Sequence, residues 1–215
     1  VSVMAHTRRG DEILLAEDCH ILWHEAGAAA ALSAVQTRGF SVNGREIDVD
    51  MVAGRIRGDD IHEPRTGLIC LENARSNGMV LKLESMRAVK ALAQRHGIPV
   101  HLDGARIFNA AVALGVPARE IAATADSAMV CLSKGLCAPV GSVVVGSAEF
   151  IALARRCRKM MGGGMRQIGM LCAAGLYALK HMTDRLAEDH ANARYLADRL
   201  EEIDGLRVDR DCLDI

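Results

Sequence analysis

Asp103 and Arg106 in HLDGARIFNA (101–110), and Lys134 in CLSKGLCAPVGS (131–142), each follow a short apolar run, and His101 opens the first stretch. Their types define a small set of chemistries. A lysine becomes a nucleophile able to form a Schiff base once burial and nearby positive charge favour its neutral form. An aspartate can hold a ring nitrogen protonated. An arginine presents a planar fork that grips a carboxylate or phosphate with two parallel hydrogen bonds. Each residue alone has a plainer reading. A strand-end aspartate is more often a turn former or helix cap, and a lone lysine a solvated charge. D-G-A-R followed by S-K-G-L after the next apolar run is more specific.

The elements that must position these groups alternate between apolar runs and helical patterns. EILLA (12–16) reads as a strand and EAGAAAALSAV (25–35) as a small-residue helix able to approach a sheet closely. In EIDVDMVAGRIR (46–57) apolar residues fall at helical spacing and Asp48 is a plausible cap. TGLICLEN (66–73) is a buried strand and SMRAVKALAQRHG (85–97) an amphipathic helix closed by Gly97. IPVHLD (98–103), SAMVCLS (127–133) and GSVVVGS (141–147) read as further strands, with PAREIAATA (117–125) a helix carrying Pro117 near its first turn. Helices then dominate, at about 148–160, 166–180 and 181–204. Apolar rather than alternating strands, interleaved with helices, predict an α/β fold: a mainly parallel sheet flanked by helices on both faces. Ligands of such sheets bind beyond the carboxyl ends of the strands. Three ends carry polar groups: Glu72 with Asn73, Asp103 with Arg106, and Ser133 with Lys134. Together they supply a lysine, an acid for a pyridine nitrogen and an arginine for an anion, the minimum that pyridoxal phosphate chemistry asks of a protein.

Half of the 215 residues are hydrophobic but only 3% are aromatic, so the core must be built from Ala, Leu, Val, Ile and Met. Charges are interleaved with a net of −1, which gives no support for a nucleic-acid partner. No run approaches the ~20 apolar residues of a membrane span, and VSVMAHTRRGDE lacks the apolar stretch of a signal peptide. The seven cysteines form no C-x-x-C pair; buried free thiols in a reducing cytoplasm are expected, and no metal site. Both ends read as cut: there is no initiator Met, and the chain stops at DRDCLDI (209–215), just after what reads as the start of a strand.

The sequence resembles the low-specificity L-threonine aldolases, in the β-eliminating lyase branch of fold-type-I pyridoxal phosphate enzymes. The resemblance runs nearly end to end, through EDCHILWHEAGAAA, RTGLICLENARSNGMVLKLESM, PVHLDGARIFNAAVALG, DSAMVCLSKGLCAPVGSVVVG and RKMMGGGMRQIGMLCAAGLYAL. It implies the following roles. Lys134 matches the lysine that carries the cofactor, and Asp103 the acid paired with the pyridine nitrogen. Arg106 matches an arginine that holds the substrate carboxylate, and His20 the histidine stacked on the ring and placed near the substrate hydroxyl. Lys159 and Arg166 match basic residues that reach the site from a neighbouring subunit. The implied assembly is a homo-oligomer, dimer or tetramer, acting on a small amino-acid substrate in the cytoplasm. Residues 1–180 would be the central part of the cofactor-binding large domain, and 181–215 a linking helix and the start of a C-terminal small domain. The implied reaction is retro-aldol cleavage of L-threonine, L-allo-threonine or a related β-hydroxy-α-amino acid to glycine and an aldehyde.

Two features depart from the pattern. Ala74 and Arg75 stand where many relatives carry Thr-His, a histidine close to the substrate hydroxyl. The N-terminal loop that wraps the cofactor phosphate and the C-terminal domain of the family are not matched, so an inactive fragment remains an open reading. MGGGMRQ (161–167) is not a phosphate loop of the G-K-[ST] type and reads as a close-approach turn presenting Arg166. Arg155, Arg156 and Arg158 read as a solvated helix face. Another lyase or a racemase using the same cofactor would need the same Lys134, Asp103 and Arg106. A dinucleotide-binding module would need G-x-G-x-x-G, which EAGAAAA is not. A non-catalytic interaction domain would leave the strand-end charges without a common purpose.

Overall fold

The computed structural model describes residues 1–215. In chain order the strands are β1 (Glu12–Ala16), β2 (Gln36–Phe40), β3 (Val42–Asn43), β4 (Glu46–Ile47), β5 (Thr66–Glu72), β6 (Val100–Asp103), β7 (Ser127–Cys131) and β8 (Ser142–Gly146). The helices are α1 (Ser2–His6), α2 (His20–Trp23), α3 (Ala28–Ser33), α4 (Val49–Ala53), α5 (Leu83–Arg95), α6 (Ile107–Leu114), α7 (Ala118–Ala122), α8 (Ala148–Met160), α9 (Gly169–His181) and α10 (Leu186–Glu201). Six strands form one sheet in the order β2-β1-β5-β6-β7-β8; β3 and β4 make a separate two-stranded ribbon. Every pairing in the large sheet is parallel except that of β8 with β7.

Strand alternation sorts the side chains onto two faces. Leu14, Ile69, Leu71, Val100 and Leu102 belong to the larger core, with Met86, Val89 and Leu92 of α5 and Ile107 and Ala110 of α6. Ile13, Leu15, Leu68 and Cys70 belong to a second cluster, with Ala29 of α3 and Val35. The register sets Cys70 opposite His101 and Glu72 opposite Asp103, so His101 and Asp103 project to the face of the second cluster. Covered on both sides, β5 has no exposed residue, which is why it reads as an unbroken apolar run.

Local chemistry explains most boundaries. The Asp48 carboxylate accepts the amides of Asp50 and Met51 and starts α4, while the residues before it are taken by the β3–β4 ribbon. Gly97, at φ +64°, closes the turn after α5. The helix expected over 25–35 shrinks to α3 because Ala26 and Gly27 adopt left-handed backbone (φ +49° and +70°) and Ala34 ends it at φ +54°. The sequence reading assigns no helix at 107–114 and no strand at 36–40; both exist, as α6 and β2. The strand start expected near the C-terminus is a single 3-10 turn, Arg210–Cys212. Arg210 turns back onto Asp198 and Glu201, and the Asp214 carboxylate accepts the Val80 amide at 2.8 Å and pairs with Arg45. All seven cysteines are free, but only Cys19, Cys70 and Cys157 are buried, fewer than the apolar runs suggest.

Candidate active site

β5, β6 and β7 lie side by side, so the three polar strand ends meet at one edge of the sheet. Asp103 ends β6 and is 6% exposed. Its Oδ1 accepts the Ala105 amide at 3.1 Å, and that is its one side-chain hydrogen bond within the chain. The chain must then turn tightly under β7. A Cβ on Gly104 would sit 2.8 Å from the Met129 carbonyl oxygen, which explains the glycine between Asp103 and Arg106. Arg106 follows at the N-terminal boundary of α6 and is half-buried without an ion-pair partner. Lys134 lies past the end of β7 and is exposed, also without an ion pair.

The Asp103 carboxyl is pushed above its ordinary range, chiefly by burial. The negative charge of Glu72 acts in the same direction, while the Ala105 amide and the positive fields of His20 and Lys134 oppose it. His20, Lys134, Glu72 and Asp103 therefore share one electrostatic neighbourhood. Glu72 is itself buried; its Oε2 accepts the His20 amide at 2.7 Å and its Oε1 accepts the Ser76 hydroxyl at 2.7 Å. The His20 ring turns its Nδ1 to Glu25 Oε1 at 3.0 Å. Asn73, fully buried, donates to the Leu81 carbonyl at 3.2 Å and accepts the Leu81 amide at 3.0 Å, which pins the loop after β5.

Two cavities flank this edge. One of about 580 Å³ is lined by His101, Asp103 and Met129 from the sheet, by Ile21 and Glu25, and by Arg155 and Arg158 of α8. Its volume is that of a small-molecule site. The two arginines are exposed, as expected of a solvated helix face, and also border this cavity. The other, about 360 Å³, is lined by Arg106, Lys134, Gly135, Asn109 and the Arg75–Gly78 loop. The sheet edge thus sets Asp103 on the first cavity and Arg106 and Lys134 on the second; His20 lines neither, but its charge and that of Lys134 act on Asp103. Lys159 and Arg166 line neither cavity; both are exposed, at the end of α8 and in the turn beyond it. That turn is the close approach its glycines imply, since a Cβ on Gly163 would meet Arg158 Cγ at 2.7 Å and one on Gly164 would meet Lys159 Nζ at 2.8 Å.

His101 shares the face and the larger cavity of Asp103, but its ring is bonded elsewhere. Its Nδ1 meets the Ser127 hydroxyl at 2.7 Å, and that hydroxyl meets His6 Nε2 at 2.6 Å. Burial pushes His101 down to about 3, helped by His6 and opposed by the Ser127 hydrogen bond. The sequence reading places Glu72 at a strand end but gives it no task, and it gives none to Glu25. Nothing in the local sequence marks either as a partner of His20.

The chain matches the model of the beta-eliminating lyase family over residues 1–214. It is 46% identical to low-specificity L-threonine aldolase 1 of Arabidopsis thaliana over 97% of this chain and 60% of that protein. It is 44% identical to the low specificity L-threonine aldolase of Escherichia coli K12, over 99% of this chain and 65% of that protein. The chain therefore spans 60 to 65% of the length of these relatives. Among solved structures, the threonine aldolase of Leishmania major superposes with a TM-score of 0.79 at 17% identity, covering 94% of this chain and 60% of that one. A PLP-dependent aminotransferase from Streptococcus suis superposes at 0.71 with 18% identity, covering 99% and 56%. These superpositions establish the fold as that of the fold-type-I pyridoxal phosphate enzymes. The family match over nearly the whole chain, together with an acid, a lysine and an arginine gathered at the ends of β6 and β7, makes this chain a member of the beta-eliminating lyase family.

Proposed function

We propose that the protein is a pyridoxal phosphate-dependent aldolase that cleaves L-threonine, L-allo-threonine or a related β-hydroxy-α-amino acid to glycine and an aldehyde. The observation that carries this is the buried Asp103 with one carboxylate oxygen unpaired within the chain, lining a cavity of about 580 Å³ within the field of Lys134 and His20. The donor set fits the cofactor. Asp103 would hold the pyridine nitrogen, Lys134 would carry the aldehyde carbon, and His20 would lie against the ring.

When bound, the cofactor supplies an electron sink for the pair left on Cα. The chain's residues do the rest. An opposite charge within hydrogen-bonding range raises a nitrogen pKa by ~1–3 units, worth ~1.4–4 kcal/mol in favour of the protonated ring. The ring's positive charge in turn lowers the carboxyl that burial has raised, so the two groups suit each other. Arg106 binds the substrate carboxylate bidentately and orients the Cα–Cβ bond. His20 turns Nδ1 toward Glu25, which leaves Nε2 to accept the proton of the β-hydroxyl. Loss of that proton drives formation of the aldehyde carbonyl as Cα–Cβ breaks, and a proton delivered to Cα completes glycine. Lys159 and Arg166, exposed and lining neither cavity of their own chain, are assigned to the site of a neighbouring subunit in a dimer or tetramer. Seven free thiols suit the reducing cytoplasm.

The test is reductive trapping. The protein is mixed with pyridoxal phosphate, reduced with borohydride and digested, and the modified peptide is located by mass spectrometry. Label on Lys134 is expected; label absent or on another lysine overturns the assignment. Product analysis then separates the reactions: glycine plus aldehyde supports the aldolase, ketoacid plus ammonia or an inverted amino acid supports a different lyase or a racemase.

A further inference from the structure

Arg75 is a buried charged side chain at this edge that the reaction above does not use. It is 7% exposed. Its guanidinium is held from two sides: Nη1 donates to the Gly44 carbonyl at 2.9 Å in the β3–β4 turn, and Nη2 pairs with the Asp18 carboxylate. Its own amide donates to the Met79 carbonyl at 2.9 Å, so the backbone of the loop is closed on itself. A guanidinium stays protonated at any working pH and has no acceptor atom, so Arg75 cannot act as a base.

What it holds is the turn that carries His20. Asp18 lies two residues before His20, and Glu72, three residues before Arg75, accepts the His20 amide at 2.7 Å. The loop after β5 thus touches the turn after β1 at two points, one on each side of Cys19. Cys19 is itself buried between them. A single hydrogen bond leaves the turn free to pivot about it. Two attachments, one of them a charge pair whose guanidinium is buried, do not. The same loop carries Ser76, Asn77 and Gly78 into the lining of the cleft with Arg106 and Lys134.

We infer that Arg75, acting through Asp18, is a positioning residue that holds the His20 turn against the ends of β5 and β6. The inference rests on the reading of His20 given above only for its catalytic consequence; the strut itself is a property of the folded chain.

Two probes read it without cofactor. The His20 amide reports by hydrogen exchange. Trp23, the sole tryptophan, ends α2 and donates its indole N–H to the Glu17 carbonyl at 2.6 Å, so its fluorescence anisotropy reports motion of the whole turn. The variants are Arg75→Met, Asp18→Asn and the double substitution. In each single variant the His20 amide is expected to exchange about tenfold faster, with core amides of β5 and β6 unchanged and Trp23 anisotropy lowered. The double variant is expected to be no worse than either single one, because both remove the same contact. Unchanged His20 exchange and Trp23 anisotropy in the single variants overturn the strut. So does a double variant whose effects simply add. Asp18 is largely exposed, so Asp18→Asn decides the matter if Arg75→Met does not fold. With pyridoxal phosphate and substrate, both single variants are expected to lose about tenfold or more in kcat with little change in KM. Failure of Lys134 labelling in the unaltered protein would remove the catalytic reading while leaving the exchange result standing.

Discussion

Glu72 and Asp103 are register partners across the parallel β5–β6 pair, and both carboxylates are buried at the carboxyl edge of the sheet. Two like charges so placed are costly unless something positive completes the group. His20 and Lys134 provide part of that compensation. The proposed cofactor nitrogen provides the rest.

Asp103→Asn should therefore separate stability from function. A carboxyl whose folded pKa is raised weakens the fold as pH climbs through and above its unfolded value, because ionisation is harder in the folded state. The neutral amide removes that penalty and its oxygen still accepts the Ala105 amide. The cofactor-free variant is expected to melt about 2–4 °C higher at neutral pH, about 1 kcal/mol of stability. Turnover should fall by orders of magnitude. Calorimetry beside an activity assay checks both; an unchanged or lower melting temperature contradicts the electrostatic account.

His101 carries a pH dependence of opposite sign. Unfolded, its imidazole takes a proton below about pH 6.5; folded, burial holds it neutral down to about 3. Stability present above pH 6.5 is lost as pH falls through this window, by about 1.4 kcal/mol per unit for one proton. His101→Asn is expected to flatten the slope by about that amount, measured as urea midpoints between about pH 5 and 6.5. An identical slope in the variant would place the proton uptake elsewhere.

Asn73 holds its loop from the inside. Removing its side chain leaves the Leu81 amide and carbonyl buried without partners, at roughly 1–3 kcal/mol for each unsatisfied group. Asn73→Ala should lower the urea midpoint accordingly. Asn73→Asp, which loses the donor to the Leu81 carbonyl and adds a further buried carboxylate beside Glu72, should lower it at least as far at neutral pH.

Arg106→Lys tests the carboxylate grip. Lysine keeps the charge but not the two-pronged geometry. A loss of ~1.4–3 kcal/mol of binding raises KM roughly tenfold to a hundredfold, with kcat affected less. Steady-state kinetics with L-threonine and L-allo-threonine decide it. A fall in kcat at constant KM would move Arg106 from binding to chemistry.

Much of this architecture is legible along the chain. TGLICLE reads as a strand because both of its faces are buried, and α8 matches its expected bounds at 148–160. Asp103 and Lys134 stand out because charge at the end of an apolar run needs a reason. The elements missed are those whose local signals are weak. QTRGF forms β2 through its parallel pairing with β1, not through apolar character, and IFNAAVAL forms α6 directly beneath the turn that holds Arg106. EAGAAAALSAV carries strong helix propensity, yet backbone turns at Ala26 and Ala34 confine it to six residues.

By itself the sequence determined the αβ alternation, the strand ends at which Asp103, Arg106 and Lys134 stand, and the chemistry those groups share. Each rests on patterns only a few residues long, where side-chain period and residue type suffice. The tertiary structure alone decided the partners of His20. Glu72 reaches its amide across 52 residues of chain, and Arg75 reaches Asp18 across 57. Both contacts exist because β5 lies beside β1, and which strands lie side by side is settled by burial of the whole sheet rather than by any local run.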